Sequence, residues 1–149
     1  MIHFAVYDSP FGSMEIGYED ESIVSIHHRR ERQCHEPSAL SDLAASQLQE
    51  YFMGKRRTFD FAISLKGTAF QKTVWQALLE IPYGEVRTYA QIAAAIGNPK
   101  AARAVGMACN QNPLWIVVPC HRVIGSNRKL TGYAGGLDMK RTLLELEHS

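Results

Sequence analysis

No stretch of about 18 consecutive apolar residues occurs in the sequence, so no segment reads as a membrane-spanning helix. Cysteine is scarce: Cys34, Cys109 and Cys120 are an odd number and have no CxxC spacing. That argues against a disulfide scaffold or a four-thiolate zinc site and makes a reducing cytosol the expectation. His27, His28, Cys34 and His35 cluster, but without the ligand spacing of a zinc site, and no metal is expected. No cofactor motif, internal repeat or Gly/Ser-rich linker is present. The opening MIHFAVYDSPFG sets no basic flank before an apolar run, so no secretory signal is expected. Excess charge is missing too, since the formal net charge is only +1, which by itself predicts no polyanion partner.

What is present is an ordinary globular balance. With 149 residues, 46% hydrophobic and 21% charged, the chain is long enough for one domain or two small ones. The charge is unevenly spread. Residues 1–66 carry seven Lys/Arg against ten Asp/Glu, whereas residues 67–149 carry nine against five. The second half is thus the half able to face phosphates, a balance that permits nucleic-acid binding without demonstrating it.

The first half predicts strands and then a helix. Ile2–Tyr7, Met14–Tyr18 and Ile23–His27 are short, partly alternating segments separated by turn residues, and they predict an antiparallel sheet. Leu40, Leu43, Ala44, Leu48, Tyr51 and Phe52 recur at helical spacing over Ser38–Met53, Gly54 supplies a stop, and Phe59–Leu65 is expected as a further strand. The second half predicts helices. Thr68 can cap one bearing Phe70, Val74, Trp75, Leu78 and Leu79, and Thr88 precedes another over Tyr89–Ile96. Gly97-Asn98-Pro99 breaks it before a third over Lys100–Asn110. Two short helices around a tight glycine-containing turn fit a helix-turn-helix, and equally an ordinary helical hairpin.

Lys100-Ala101-Ala102-Arg103-Ala104-Val105-Gly106 is mostly small side chains around one long cation. Two readings are open from these residues alone. One is tight helix packing with Arg103 reaching solvent. The other is close approach to a DNA minor groove with Arg103 inserted.

Reactive chemistry gathers near the end of the chain. After Asn112-Pro113, the apolar run Leu114–Val118 predicts a buried strand-like segment delivering Pro119-Cys120-His121-Arg122. Arg122, a charged His121 or a helix N-terminus would favour a Cys120 thiolate. Cys34 and Cys109 lack such neighbours and read as structural. Adjacent side chains seldom bond directly, so His121 would act on Cys120 through a water, with a carboxylate orienting the imidazole. Glu80, Glu85, Asp138, Glu145 and Glu147 are candidates, the last two on a terminal helix over about Asp138–Glu147, and spacing does not choose among them.

Ile-Val-Val-Pro-Cys-His-Arg-Val-Ile-Gly (116–125) closely resembles the active-site segment of the O6-alkylguanine-DNA alkyltransferases. The resemblance includes Gly67-Thr-Ala-Phe-Gln71, Val74-Trp75, Ile81-Pro-Tyr-Gly84, Thr88-Tyr89 and Gly97–Gly106. It continues through Asn112-Pro113, Gly132-Tyr133-Ala-Gly-Gly-Leu137 and Leu143–Glu147, so it runs in order through essentially all of 67–149. Residues 1–66 resemble the family in layout only, notably Asp8-Ser9-Pro10-Phe11-Gly12 before a strand.

The resemblance implies an α+β protein. Residues 1–66 would form a ribonuclease-H-like sheet-and-helix domain, and 67–149 a helical DNA-binding and alkyl-acceptor domain with a helix-turn-helix. It implies DNA repair by direct reversal: irreversible, single-turnover transfer of an alkyl group from O6-alkylguanine, with O4-alkylthymine a further candidate, to Cys120. His121 would deprotonate Cys120 through water, Glu147 would orient His121, Asn112 would shape the site, and Tyr89 would protonate the departing guanine. Arg103, with Ala101, Ala102, Gly106 and Tyr89, would meet duplex DNA through its minor groove and fill the space of the flipped nucleotide. Tyr133, Trp115, Val123, Ala134 and Cys109 would line the substrate pocket. Two departures matter: Ala134 stands where many relatives carry serine, and Trp115 where some carry proline. The displacement calls for no metal, nucleotide or methyl donor, so no cofactor is implied. A monomer is expected, with no membrane association, in the cytoplasm or wherever genomic DNA lies. The other classes weighed are a lesion binder without an acceptor cysteine, a helix-turn-helix regulator and a cysteine hydrolase built on Cys120, His121 and Glu147.

Overall fold

Alternating residues near the start of the chain pair as three antiparallel strands in the order β1-β2-β3: β1 (His3–Ser9), β2 (Gly12–Glu19) and β3 (Ser22–His28). The structure is a computed structural model that describes residues 1–29, 35–127, 133 and 135–148. Two compact units divide it, Met1–Lys66 and Gly67–Ser149.

In the first unit the register aligns Ala5 with Ile16 and Ile16 with Ile26, a fully buried row across the sheet. Helix α1 (Ala39–Phe52) packs on the sheet and buries Ala44, Leu48 and Tyr51. Each large apolar side chain so buried contributes roughly 1.5–3 kcal/mol. Ser38 starts the helix with a reciprocal cap to Ser41, satisfying two backbone N–H groups that the first turn leaves orphaned. The strand expected over Phe59–Leu65 does not form. Only Ile63 bridges, in parallel with Ile23, through Ile23 N to Ala62 O and Ser64 N to Ile23 O. The Gln47 side chain accepts from Asp60 N at 3.2 Å, diverting an N–H that a longer ladder would use, while Phe59 and Phe61 join Tyr51 in an aromatic cluster.

The second unit is helical, with two short strands. Thr68 and Thr88 each cap a helix by the same device, a threonine hydroxyl accepting from the N3 backbone while a glutamine at N3 accepts in return. They start α2 (Ala69–Leu79) and α3 (Tyr89–Ala95). Gly97, at φ +80°, makes the turn into α4 (Ala102–Asn110), and α3 packs on α4 as a helix-turn-helix. This last helix begins two residues later than the sequence predicts, because Asn98 O first takes Ala101 N in a turn. Trp75 of α2, buried, donates its indole N–H to Ala108 O at 2.9 Å and pins α4.

Two-residue strands β4 (Arg87–Thr88) and β5 (Val123–Ile124) pair in parallel, so the start of α3 lies beside the chain leaving Arg122. The terminal helix α5 (Leu137–Glu147) packs against a 3₁₀ turn at Cys120–Arg122.

Candidate active site

The segment leading to Cys120 is a tight turn rather than the expected strand. Asn112, buried, organises it: its carbonyl accepts from Leu114 N at 2.9 Å, and its amide donates to Val118 O at 2.8 Å. Those bonds fold the run back on itself, with Val118 N reaching Leu114 O at 2.9 Å. Ile116 is forced to φ +75°, a region that costs a β-branched residue about 1–3 kcal/mol. Burial of Leu114, Ile116 and Val118, none more than 1% exposed, offsets that strain.

The same Asn112 amide donates to Cys120 Sγ at 3.1 Å. Burial pushes the Cys120 thiol up to about 11, opposed by this hydrogen bond and by the Lys140 ammonium. At neutral pH the resting group is therefore a thiol, with two features in place that favour its anion. Burial drives the neighbouring Cys109 to about 12.

His121 follows Cys120 but faces Glu147, with Nε2 2.7 Å from Oε2 and both side chains out of solvent. Desolvation holds the imidazole below its ordinary value, against the pull of Glu147. Its Nδ1 is buried and meets no hydrogen-bonding group among the described residues. Of the five carboxylates that the spacing left open, the fold thus selects Glu147.

Arg122 departs from expectation. It does not act on the thiol. Its guanidinium forks onto Glu147, Nε to Oε1 at 2.8 Å and Nη2 to Oε2 at 2.9 Å, while Nη1 donates to Ile81 O at 2.7 Å. The carboxylate offers planar bidentate pairing that a thiol cannot match. The Ile81–Gly84 segment seats this end of α5: Tyr83 lies under the guanidinium, 5.7 Å from ring centre to carbon, and its hydroxyl donates to Leu146 O at 3.4 Å. Gly84, at φ +83°, takes a left-handed conformation there that a residue with a side chain rarely adopts.

Sequence reasoning missed Lys140. It is fully buried, donates to Val123 O at 2.6 Å, and sits 5.8 Å from the Tyr89 ring centre. Burial lowers its pKa, while Cys120 and Cys109 oppose the shift. A signal existed: Lys140 precedes Glu147 by two helical turns, so both lie on the face of α5 that Met139 and Leu143 also bury.

Tyr89, Ala102, Arg103 and Gly106 line an open cleft of about 470 Å³ together with Ala90, Asn110, Gly125 and Ser126. Arg103 is exposed, and Ala101 is half-buried just ahead of α4. Trp115 and Tyr133 are buried with ring centres 6.2 Å apart. Gly135 passes so close that a Cβ there would lie 2.9 Å from Tyr133 and 3.2 Å from Trp115. Val123 is buried in β5, and Ala134 and Cys34 lie outside the described residues. Among the described residues no group of three or more His, Cys, Asp or Glu gathers to hold a metal.

A buried thiol followed in the chain by a histidine paired to a carboxylate, carried on a helix-turn-helix unit whose open cleft bears Arg103, defines a class: a nucleophilic cysteine protein built to work on nucleic acid. Comparison with known proteins makes the class specific. The description "6-O-methylguanine DNA methyltransferase, ribonuclease-like domain" matches residues 2–65, and "6-O-methylguanine DNA methyltransferase, DNA binding domain" matches 69–149. The methylated-DNA–protein-cysteine methyltransferase of Methanosarcina acetivorans is 47% identical over 99% of both chains, and that of Mycobacterium bovis is 49% identical over 100% of this chain and 94% of its own. The crystal structure of Mycobacterium tuberculosis OGT in complex with DNA aligns with a TM-score of 0.91 at 47% identity, over 98% of this chain and 92% of that one. The chain belongs to the O6-alkylguanine-DNA alkyltransferase (methylated-DNA–protein-cysteine methyltransferase) family.

Proposed function

We propose that Cys120 is the alkyl acceptor of a DNA-repair protein that reverses guanine alkylation directly. The protein moves an alkyl group from O6-alkylguanine to a cysteine and is consumed in doing so. The observation carrying the assignment is a buried Cys120 thiol hydrogen-bonded by Asn112, followed in the chain by a His121 that Glu147 holds by Nε2. O4-alkylthymine is a second substrate on this reading.

The protein binds duplex DNA as a monomer, through the minor groove, wherever the genome is housed. Small residues on α4 let the backbone approach, and Arg103 occupies the place of the extruded nucleotide, offsetting an unstacking cost of a few kcal/mol. His121 Nδ1 then takes the thiol proton through a water. Asn112 and Lys140 stabilise the thiolate. Its sulfur attacks the alkyl carbon, the carbon–O6 bond breaks, and the electron pair leaves with guanine, which Tyr89 protonates. Trp115, Tyr133, Val123 and Cys109 surround the base and its alkyl group. The product is a thioether with no carbonyl for water to attack, which is why one protein serves one lesion. Intact-mass and peptide analysis after incubation with O6-methylguanine duplex DNA tests the assignment. One methyl on the Cys120 peptide is expected; methyl on another residue, or none, overturns it.

A further inference from the structure

We infer that Arg122 is a positioning residue that neutralises Glu147 and thereby keeps His121 a neutral base with its proton on Nε2 and its lone pair on Nδ1. The inference rests on the reading of His121 as the base for Cys120.

The geometry leaves little choice. Glu147 uses both carboxylate oxygens: Oε1 accepts from Arg122 Nε, and Oε2 accepts from both Arg122 Nη2 and His121 Nε2. A permanently charged guanidinium forked across both oxygens keeps the carboxylate ionised, so it can only accept. The His121 nitrogen facing it must be N–H, and the other nitrogen, Nδ1, is then the bare one. Glu147 also ends α5, where the helix dipole disfavours negative charge, and Arg122 is what compensates it there.

Charge counting points the same way. Glu147 and Arg122 cancel. A proton on His121 would add a cation to a buried site that already holds Lys140. The charged groups facing His121 are Glu147 and Lys140 from α5 and Arg122 from its own turn. The other helix packed against that turn, α2, brings only Lys72, which is exposed. Without Arg122, the unbalanced carboxylate would turn to His121 and draw a proton onto it, making the base an imidazolium with nothing left to accept.

Nitrogen-15 NMR of the histidine side chains in the unalkylated, DNA-free protein reads the tautomer directly, with His121→Gln supplying the assignment. The expected wild-type state is Nε2–H with bare Nδ1 over about pH 5.5–8, the range where histidines ordinarily change charge. An imidazolium, or a proton on Nδ1, overturns the inference and needs no variant to fold. In Arg122→Gln, His121 is expected doubly protonated near pH 6, and methyl transfer should fall about tenfold per pH unit on the acid side where wild type is flat. Arg122→Lys keeps the charge and should restore the flat profile at a lower rate. Loss of rate in both variants with the wild-type pH profile would make Arg122 merely structural and sink the proposal. Absence of methyl on wild-type Cys120 would instead overturn the functional reading, which the NMR measurement does not depend on.

Discussion

Asn112 and Cys120 are joined by a 3.1 Å hydrogen bond from the asparagine amide to the sulfur, and the same amide nitrogen also holds Val118 O at 2.8 Å. One side chain therefore both builds the turn that presents the thiol and supplies a donor to the anion that the proposed mechanism requires. Asn112→Ala should orphan Leu114 N, at about 1–3 kcal/mol for that buried group, while Val118 O keeps its bond from Cys120 N. Denaturant unfolding is expected to show that loss. Alkyl transfer should drop further than the lost folded fraction accounts for; a drop matching it alone would limit Asn112 to the fold.

Cys120→Ser should abolish transfer while leaving DNA binding nearly intact, because a hydroxyl is far harder to ionise than a thiol. Cys109→Ser should retain activity, since Cys109 lines the pocket without accepting the alkyl group and serine nearly keeps its size. Gel-shift and mass measurements on both variants check this. A methylated Cys120→Ser protein, or more than one methyl removed per wild-type molecule, would contradict the thioether mechanism.

Arg103→Ala should slow repair in duplex DNA much more than reaction with a free alkylated base. Arg103 lines the open cleft and is itself exposed, so its loss opens no core. A free base needs no extrusion and should not miss it. Equal slowing of both substrates would move Arg103 from flipping to the pocket.

Trp115, buried against Tyr133 and Gly135, should favour methyl over benzyl groups. Crowding a formed site costs roughly 1–3 kcal/mol, or about tenfold to hundredfold in rate. Trp115→Ala should selectively rescue benzyl transfer. Equal loss of both rates with a lowered melting temperature would instead make Trp115 a core residue.

Stability should decline on the acid side through His121. Its pKa is depressed in the folded protein by burial, so below the ordinary histidine value the unfolded chain binds a proton that the folded one refuses. The contribution is fully present above that ordinary value and is lost as pH falls through the lowered one. Unfolding free energies measured across the acid range should show this slope, and His121→Gln should flatten it. An unchanged slope in that variant would assign the acid sensitivity to other groups.

Local physics made much of this protein legible in its sequence. Thr68 with Gln71 and Thr88 with Gln91 announce helix starts because both partners of each cap lie within one turn. The three strands were readable from alternation between turn residues. Cys120 stood out because His121 and Arg122 follow it directly. Interactions between distant residues were the part that only tertiary structure decided. Glu147 became the partner of His121 from 26 residues away because α5 packs on the Cys120–Arg122 turn, a contact that no spacing rule ranks above Glu145 or Glu85. Arg122 abandoned the thiol for that carboxylate once the fold brought a planar, charged acceptor within reach. The run 114–118 reads as a strand by hydrophobicity alone, yet Asn112 satisfies its backbone from the side and folds it into a turn. Periodicity records which side chains avoid water; it does not record where a buried donor or charge finds its partner.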